Sequence, residues 1–168
     1  GLPPGVGADE WPTFDDEPMA HLFTLDLDTM PELKKPLGGA RTFSFFCYSP
    51  DHNEAYEPGN AQTATHAGTG TEPGVAPEDT DIRPERWFEP VRVEVPPQVF
   101  GRPKGVLKEL RDAIYGMGGR ALGEPLWLQR DEGTGGFVMQ FDESFCDVNL
   151  GDMGIMYVET DGGFWQCH

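Results

Sequence analysis

Short runs of apolar residues, separated by Gly, Pro and Asp, recur along the chain and are densest in its last third. Between residues 126 and 168 the runs LWLQ, FVMQF, IMYV and FWQC alternate with turn residues. Runs of this length are typical of short strands joined by tight turns. The pattern predicts a flexible turn at 133–136, a hairpin turn at 161–163, and strands at 126–129, 137–141 (with Phe137, Met139 and Phe141 on one face), 155–158 and 164–167.

The first 48 residues predict two further strands. Residues 19–27 alternate between apolar and polar positions, which indicates a half-buried strand. Residues 41–48, RTFSFFCY, are apolar on both faces, so this strand is predicted to be central in its sheet. Between them, Asp28 is predicted to cap a single helical turn, and the glycine pair at 38–39 to form a turn.

The middle of the chain contains a long stretch without periodicity. Residues 49–85 are rich in Pro, Gly and acidic residues, and we expect them to form a long loop. The sequence VRVEV at 91–95 predicts an amphipathic strand. The principal helix is predicted at about 103–117, because its apolar residues recur at helical spacing: Val106, Leu107, Leu110, Ile114 and Met117.

These elements predict a mainly β fold, α+β at most, in a single domain over residues 1–168. The domain divides into a first β-unit (1–48), an acidic Pro/Gly-rich loop (49–85), a strand and helix (86–119) and a second β-unit (120–168).

The two β-units resemble each other in sequence. Both contain G-x-P, a strand, an Asp, a turn with Gly and a second strand. The alignment places 25–28 opposite 139–142, and 43–45 opposite 156–158. It predicts two related β-units packed about a pseudo-twofold axis.

The net charge of −17 narrows the possible partners. It argues against nucleic acid and against an anionic membrane, and it favours a basic protein or divalent cations. A role in solubility alone stays open. The three cysteines are too widely spaced for a disulfide framework, which favours a reducing, cytoplasmic setting. Cys47 is expected to be buried, and a single bridge between Cys146 and Cys167 is left open.

The sequence contains no catalytic motif. The four histidines are scattered, and the spacing of Asp142, Glu143, Asp147 and Asp152 fits no known calcium loop, which favours solvated turn residues. There is no G-x-S-x-G sequence, and the Gly-rich stretches lack the strand and Lys of a phosphate loop. We therefore expect no cofactor, no metal and no enzymatic activity. Asp152, in the sequence LGDMG, is expected to accept backbone N–H bonds in a turn, with partner contact as the alternative.

Taken in order, several of these strings resemble the YwqG-like proteins of bacteria. The string YGMGGRALGEPLWLQ, then FVMQFDE, LGDMGIMYVE and FWQC, is similar to the C-terminal half of that family, and PMAHLFTLDLD and FSFFCY are similar to its first half. The resemblance covers the chain except 49–85. The sequence departs from the pattern at Leu150, where an aromatic residue is common, and at Arg41, where Gly is usual.

The resemblance implies a mainly β fold of two related halves in a cytoplasmic bacterial protein. Some members appear beside polymorphic toxins, in the manner of immunity proteins. For the residues that match the family motif the resemblance implies a structural role; they are Trp11, Pro12, Gly119, Gly123, Pro125, Trp127, Gln129, Gly151, Asp152 and Gly154.

We therefore expect a non-enzymatic, acidic binding protein of the immunity type, which neutralises a cognate basic protein such as a secreted toxin through protein–protein contact. The alternative is a small-molecule or metal-binding domain with its site between the two β-units. The predicted partner-binding residues are the carboxylates of the loop and of the second β-unit: Glu54, Glu57, Glu78, Asp79, Asp81, Asp142, Glu143, Asp147 and Asp152.

Overall fold

The computed structural model describes residues 1–51, 61–133 and 135–168. Over these residues the chain is mainly β, with nine strands in three sheets and two α-helices, so the predicted fold class is confirmed. The elements are β1 (Thr13–Phe14), β2 (Glu17–Pro18), β3 (Ala20–Asp26), β4 (Thr42–Cys47), β5 (Thr63–Gly68), α1 (Val106–Tyr115), β6 (Gly119–Ala121), β7 (Phe137–Asp142), α2 (Glu143–Cys146), β8 (Ile155–Glu159) and β9 (Gly162–Gln166), with 3-10 turns at Pro31–Leu33 and Pro97–Phe100.

The first large sheet has the order β3-β4-β5 and is antiparallel throughout. The predicted strands at 19–27 and 41–48 are confirmed as β3 and β4, and β4 is central. Both faces of β4 are buried: Phe43 and Phe45 point to the main core, and Phe46 packs with Trp11 and Met19 on the other side. The Trp11 ring meets Phe46 edge-on at 5.4 Å between centroids, so the N-terminal segment covers this face.

Strand β5 lies inside the stretch that was predicted to be a loop, so that prediction is wrong for residues 63–68. Thr63 pairs with Cys47 and Gly68 with Thr42, and the pairing is continuous between them. A central strand needs hydrogen-bond partners for its backbone on both sides, and any extended segment can supply them. Most residues of β5 are half-buried, so neither of its faces has to be strongly apolar. This explains why its Thr, Ala and His residues show no hydrophobic alternation that would have predicted a strand.

The second large sheet has the order β6-β7-β8-β9. The strands predicted at 137–141, 155–158 and 164–167 are confirmed as β7, β8 and β9. Glu159 pairs with Gly162, so the two-residue hairpin turn is Thr160–Asp161 and the glycines lie within β9. At Gly163 a Cβ atom would lie 2.9 Å from the ring of Phe45, so a small residue is required where the sheets meet.

Two details of this sheet differ from the prediction. Residues 126–129 form no strand; they cross the outer face of the sheet as an irregular segment. The register of β7 shifts between Phe137 and Met139. Because of this bulge, Phe137 packs in the outer cluster with Tyr157, whereas Met139 and Phe141 belong to the main core.

The main core lies between the two large sheets and contains Phe23, Leu25, Leu27, Leu33, Leu37, Ala40, Phe43, Phe45, Val138, Met139, Phe141, Val148, Leu150, Met156, Val158 and Trp165. The sheets also meet along β5 and β9. There the Thr63 hydroxyl donates to the Gly163 carbonyl at 2.8 Å and accepts the Gly163 N–H at 2.9 Å. Thr65 donates to the Thr160 carbonyl at 2.9 Å.

Three further predictions need correction. Asp28 caps no helix: the 3-10 turn at Pro31–Leu33 follows Met30, and the Asp28 carboxylate binds Lys34 and Arg41 instead. Residues 91–95 form no strand in the described chain. The helix is shorter than predicted, because it begins only at Val106, which is 79% exposed, and ends before Met117.

The strand pairing refines the comparison of the two β-units. Strands β3 and β7 each carry a register shift, and each ends at an Asp whose Oδ1 accepts the N–H two residues later, at 2.9 Å in both cases: Asp28 to Asp26, and Ser144 to Asp142. Asp26 pairs with Thr42 as Asp142 pairs with Ile155. The counterpart of Asp142 is therefore Asp26, two residues before the predicted Asp28. The pseudo-twofold axis itself stays a prediction.

Within the described parts of the chain, no helix has both the length and the apolar character needed to cross a membrane.

Candidate functional site

The carboxylates of the second β-unit gather around helix α2. Asp142 is the N-cap of this helix, and its Oδ1 accepts the N–H of Ser144 at 2.9 Å. Asp147 follows the last turn in the left-handed conformation, with φ of 59°. Three of the predicted partner-binding residues, Asp142, Glu143 and Asp147, are therefore placed on one short element by local capping.

An open depression of about 280 Å³ lies beside α2 and is lined by Asp51, Glu143, Asp147, Val148 and Asn149. Asn149 connects the two sides of the depression. Its backbone N–H donates to Pro50 O at 3.1 Å, and its side-chain amide donates to Asp51 O at 3.2 Å. Glu143 accepts the Leu150 N–H at 2.7 Å, which fixes its carboxylate. Asp51 and Asp147 remain mostly exposed at the rim.

Arg83 ties a long segment of the chain to this depression. Its guanidinium donates to the carbonyl oxygens of Cys146 (3.4 Å) and Asp147 and to the carboxylate of Asp51 (3.2 Å). Asp81 lies 3.5 Å from Arg83 Nε. Carbonyl oxygens at a helix C-terminus attract a cation, so this is a favourable position for the guanidinium.

Residues 75–96, which we call the strap, form no helix or strand, are mostly exposed and end at the second 3-10 turn. Its three arginines all point back to the protein: Arg83 as above, Arg86 to Asp147 at 3.2 Å, and Arg92 to Glu32. Its carboxylates differ in this respect. The following are exposed and form no ion pair among the described residues: Glu78, Asp79, Glu85, Glu89 and Glu94.

The strap also exposes large apolar side chains. Trp87 is 87% exposed and Val91 is 82% exposed, whereas Phe88 stacks on Phe145 of α2 with 4.7 Å between ring centroids. Isolated exposed apolar residues are common on protein surfaces, but several on one segment are typical of an interaction site.

The predicted partner-binding residues therefore divide into groups. Asp81, Asp142, Glu143 and Asp147 lie at or near the depression, whereas Glu78 and Asp79 lie further along the strap. Glu54 and Glu57 lie outside the described residues. Asp152 is exposed and separate from the others.

The expected turn contact of Asp152 is not formed. Its carbonyl oxygen accepts the His168 N–H at 3.0 Å, but its carboxylate forms no hydrogen bond among the described residues. The neighbouring Asn149 supplies that contact instead, since its Oδ1 accepts the Gly151 N–H at 3.0 Å.

Trp127 and Gln129, which belong to the strings that resemble the YwqG-like pattern, hold the irregular segment 122–130 against the second sheet. Trp127 packs on Tyr157, with 4.7 Å between centroids, and stacks on Phe164. The Gln129 N–H donates to Gln166 Oε1 at 3.1 Å, and its side chain donates to the Cys167 carbonyl. These contacts explain why the run LWLQ is apolar although it forms no strand.

Buried polar groups complete this attachment. Gln140 Oε1 accepts the Leu126 N–H at 2.7 Å and an Arg120 N–H at 2.6 Å. The Tyr157 hydroxyl donates to Leu126 O at 3.0 Å and accepts the Leu128 N–H at 2.8 Å. Burial raises the pKa of Tyr157, so this hydroxyl stays protonated and keeps its donor.

The remaining motif residues occupy backbone positions with little freedom. Gly123 and Gly151 have φ of +72° and +78°. At Gly154 a Cβ atom would lie 2.0 Å from the Leu150 carbonyl oxygen, which no side chain could tolerate. Pro12 contributes a carbonyl that accepts the Met19 N–H at 2.9 Å. Gly119 lies in β6, and Pro125 in the segment that precedes Leu126.

The cysteines are free in this structure. Burial raises the pKa of both Cys47 and Cys146 to about 12, so these thiols are protonated at neutral pH and are poor nucleophiles. No group of three or more His, Cys, Asp or Glu residues suited to a metal ion occurs in the ranges that the structure describes.

The sequence reasoning missed Asp51, Arg83, Trp87 and Phe88. The sequence does contain a feature that could have predicted the role of Arg83, because it is the only Lys or Arg in residues 49–85. A single cation among eight acidic residues in that stretch is a candidate anchor. No such feature predicts the positions of Trp87 and Phe88, since hydropathy does not distinguish an exposed ring from a buried one.

No protein-family model matches the chain, and neither a curated protein nor a solved structure matches it.

Proposed function

We propose that this chain is a non-enzymatic binding protein of the YwqG-like, immunity type, which acts in the reducing cytoplasm and neutralises a cognate basic toxin by protein–protein contact. One observation carries the proposal. The arginines of the strap are all used in contacts with the body of the protein, while five of its carboxylates are exposed and unpaired among the described residues.

This arrangement leaves an anionic surface for a partner. The depression next to the strap adds less negative charge, because two of its three carboxylates, Asp51 and Asp147, are paired with Arg83 and Arg86. With a net charge of −17, the chain attracts a cationic protein over a distance of about a Debye length, roughly 10 Å at 0.1 M salt. Such steering accelerates association and selects against acidic partners.

The alternative hypothesis places a small molecule or metal between the two β-units. The faces that the two large sheets turn toward each other are filled by the apolar main core, so no observation favours a ligand there.

The test begins with the genes that flank the gene of this chain, among which we expect one that encodes a basic protein. That protein is purified and titrated into the full chain by calorimetry, and a neighbourhood without such a gene would contradict the proposal. We expect a stoichiometric complex whose affinity falls as NaCl rises from 20 to 300 mM, by roughly tenfold or more because the surface charges are screened. Co-expression of the chain should also protect cells from that protein. Absence of binding at 20 mM NaCl would contradict the proposal.

A pair of charge variants locates the surface. In the strap variant, four exposed carboxylates of the strap become amides: Glu78→Gln, Asp79→Asn, Glu85→Gln and Glu89→Gln. The control variant loses the same number of charges elsewhere: Asp15→Asn, Asp16→Asn, Glu109→Gln and Glu124→Gln. Since both variants lose the same net charge, the loss of long-range attraction is equal in both, and the strap variant should associate about tenfold more slowly than the control variant.

A further inference from the structure

The backbone of residues 84–95 has no partners in the described chain. None of its N–H or C=O groups forms a hydrogen bond with the described residues, although residues on either side do: Arg83 O accepts the N–H of Gly1, and the Val99 N–H donates to Pro96 O. A run of unpaired backbone groups in extended chain is a template for pairing with another strand.

The side chains of this segment alternate as those of a strand do. Val91 and Val93 are 82% and 54% exposed, and Arg92 and Glu94 lie between and beyond them. β-Branched residues in alternation favour the extended conformation. Pro90 and Pro96 lack the N–H donor and bound this run, so a paired strand would end at these two residues.

Both ends of the segment are held in place. At one end Arg83 binds the carbonyls that follow α2 and the Asp51 carboxylate. At the other end Val95 packs against the cluster of Val99 and Leu126, and Arg92 binds Glu32. A segment that is already anchored at both ends loses less conformational freedom when it pairs than a free segment does.

We propose that residues 91–95 dock as an added β-strand on the exposed edge strand of a cationic protein, with Trp87, which precedes Pro90 and the strand, as the aromatic anchor. This inference rests on the proposed function, because it assigns the contact segment for the same basic partner. Strand addition obtains affinity from main-chain hydrogen bonds and specificity from alternate side chains. Exposed Trp residues are frequent anchors of such interfaces.

The charges around the segment indicate which protein would supply the partner strand. Glu85, Glu89 and Glu94 are exposed without ion pairs in the described chain, so they are free to meet Lys and Arg residues beside the partner strand. A second copy of this chain is a poor occupant, because each copy carries −17. In antiparallel self-pairing centred on Val93, Arg92 would lie opposite Glu94 of the other copy, but its guanidinium is bound to Glu32.

The experiment compares substitutions of equal kind inside and outside the strap, in the full chain. Val93→Pro removes the central N–H donor of the segment. Val106→Pro is its control: Val106 is a similarly exposed valine at the first position of α1, where proline is tolerated. Trp87→Ala tests the anchor. All three should leave the melting temperature unchanged, since these side chains are exposed.

Binding is measured with the same purified basic protein that the test of the proposed function uses. We expect Val93→Pro and Trp87→Ala each to weaken the complex at least tenfold, mainly through faster dissociation, which is about 1.4 kcal/mol or more, and Val106→Pro to bind like the wild type. In the complex, hydrogen exchange of the amides at 91–95 should slow by at least tenfold relative to the free chain.

The outcomes are distinguishable. If the wild type binds the basic protein and the strap substitutions change neither affinity nor exchange, strand docking is wrong and the proposed function stands. If the amides at 91–95 become protected only by a concentration-dependent dimer of this chain, the occupant is a second copy and the inference is wrong. If the wild type binds no basic protein, both fail together.

Discussion

Gln140 shows how single side chains fix the outer segment of this protein. Its amide oxygen receives the Leu126 N–H and an Arg120 N–H at a site where Gln140 is only 5% exposed. Buried hydrogen-bonding groups cost free energy when they lose their partners. The sequence LWLQ is therefore held in place by buried polar groups as well as by the packing of Trp127.

We predict that Gln140→Leu lowers the free energy of unfolding by about 1–3 kcal/mol, because two buried N–H groups lose their acceptor. Urea unfolding followed by circular dichroism measures this. Gln98→Leu is the control: Gln98 is exposed in the second 3-10 turn, and the same change there should cost less than about 0.5 kcal/mol. Equal effects at both positions would contradict the role of Gln140.

His21 is the second residue whose burial has a measurable consequence. Its Nδ1 lies 2.9 Å from the Gly1 carbonyl oxygen and must donate to it, so Nε2 accepts from the Thr24 hydroxyl, also at 2.9 Å. Thr24 in turn accepts from Ser44 at 2.8 Å. Burial lowers the pKa of His21, because the folded protein favours the neutral imidazole.

The expected pH dependence follows from this lowered pKa. Between the folded pKa and the unfolded value of about 6.5, the unfolded chain binds more protons, so stability decreases as pH falls through this window and is fully present above it. We predict that the wild type loses more stability than His21→Gln between pH 7.5 and 5. Parallel urea-unfolding profiles for the two proteins would contradict this.

At the scale of elements, two segments exchanged their predicted roles. Residues 91–95 alternate as a strand yet lie unpaired in the strap, whereas residues 63–68 show no alternation and pair with the whole of β4. Hydrophobic alternation reports which face of a strand is buried, not whether another strand is available beside it. The strap is instead held by ion pairs and by the stacking of Phe88 on Phe145.

We predict that Arg83→Gln loosens the strap, because the helix-end carbonyls and Asp51 lose their cation. Limited chymotrypsin digestion should then cleave after Trp87 or Phe88 several-fold faster, and the free energy of unfolding should fall by about 1–3 kcal/mol. Arg86→Gln is the control. Among the described residues, the only ion pair of Arg86 is with the exposed Asp147. In this control the free energy of unfolding should therefore stay within about 0.5 kcal/mol of the wild type, and the rate of cleavage within about twofold.

For the whole molecule, the net charge is the property with the largest consequences for stability and binding. A net charge of −17 in 168 residues means that the folded chain repels itself, since the eight ion pairs among the described residues engage only part of the acidic surface. Self-repulsion of this kind favours solubility and rapid capture of cations but opposes compactness. The same excess charge underlies the proposed function.

We predict that the melting temperature rises by several degrees as NaCl increases from 10 to 300 mM, because the Debye length falls from about 30 Å to below 10 Å. Calorimetry measures the shift. Sodium sulfate at matched ionic strength should give nearly the same rise in the dilute range, which identifies screening rather than a specific ion. A falling melting temperature would show that attractive ion pairs dominate instead.

The sequence by itself determined the mainly β class, the strands β3, β4, β7, β8 and β9, and the sign of the surface, since alternation and charge are local properties that every residue carries with it. Only the tertiary structure decided which segments found partners. It paired β5 with β4, left 91–95 unpaired among the described residues, shifted Phe137 to the outer face by a bulge and paired three arginines of the strap with distant carboxylates. Each outcome depends on a neighbour that is distant in sequence.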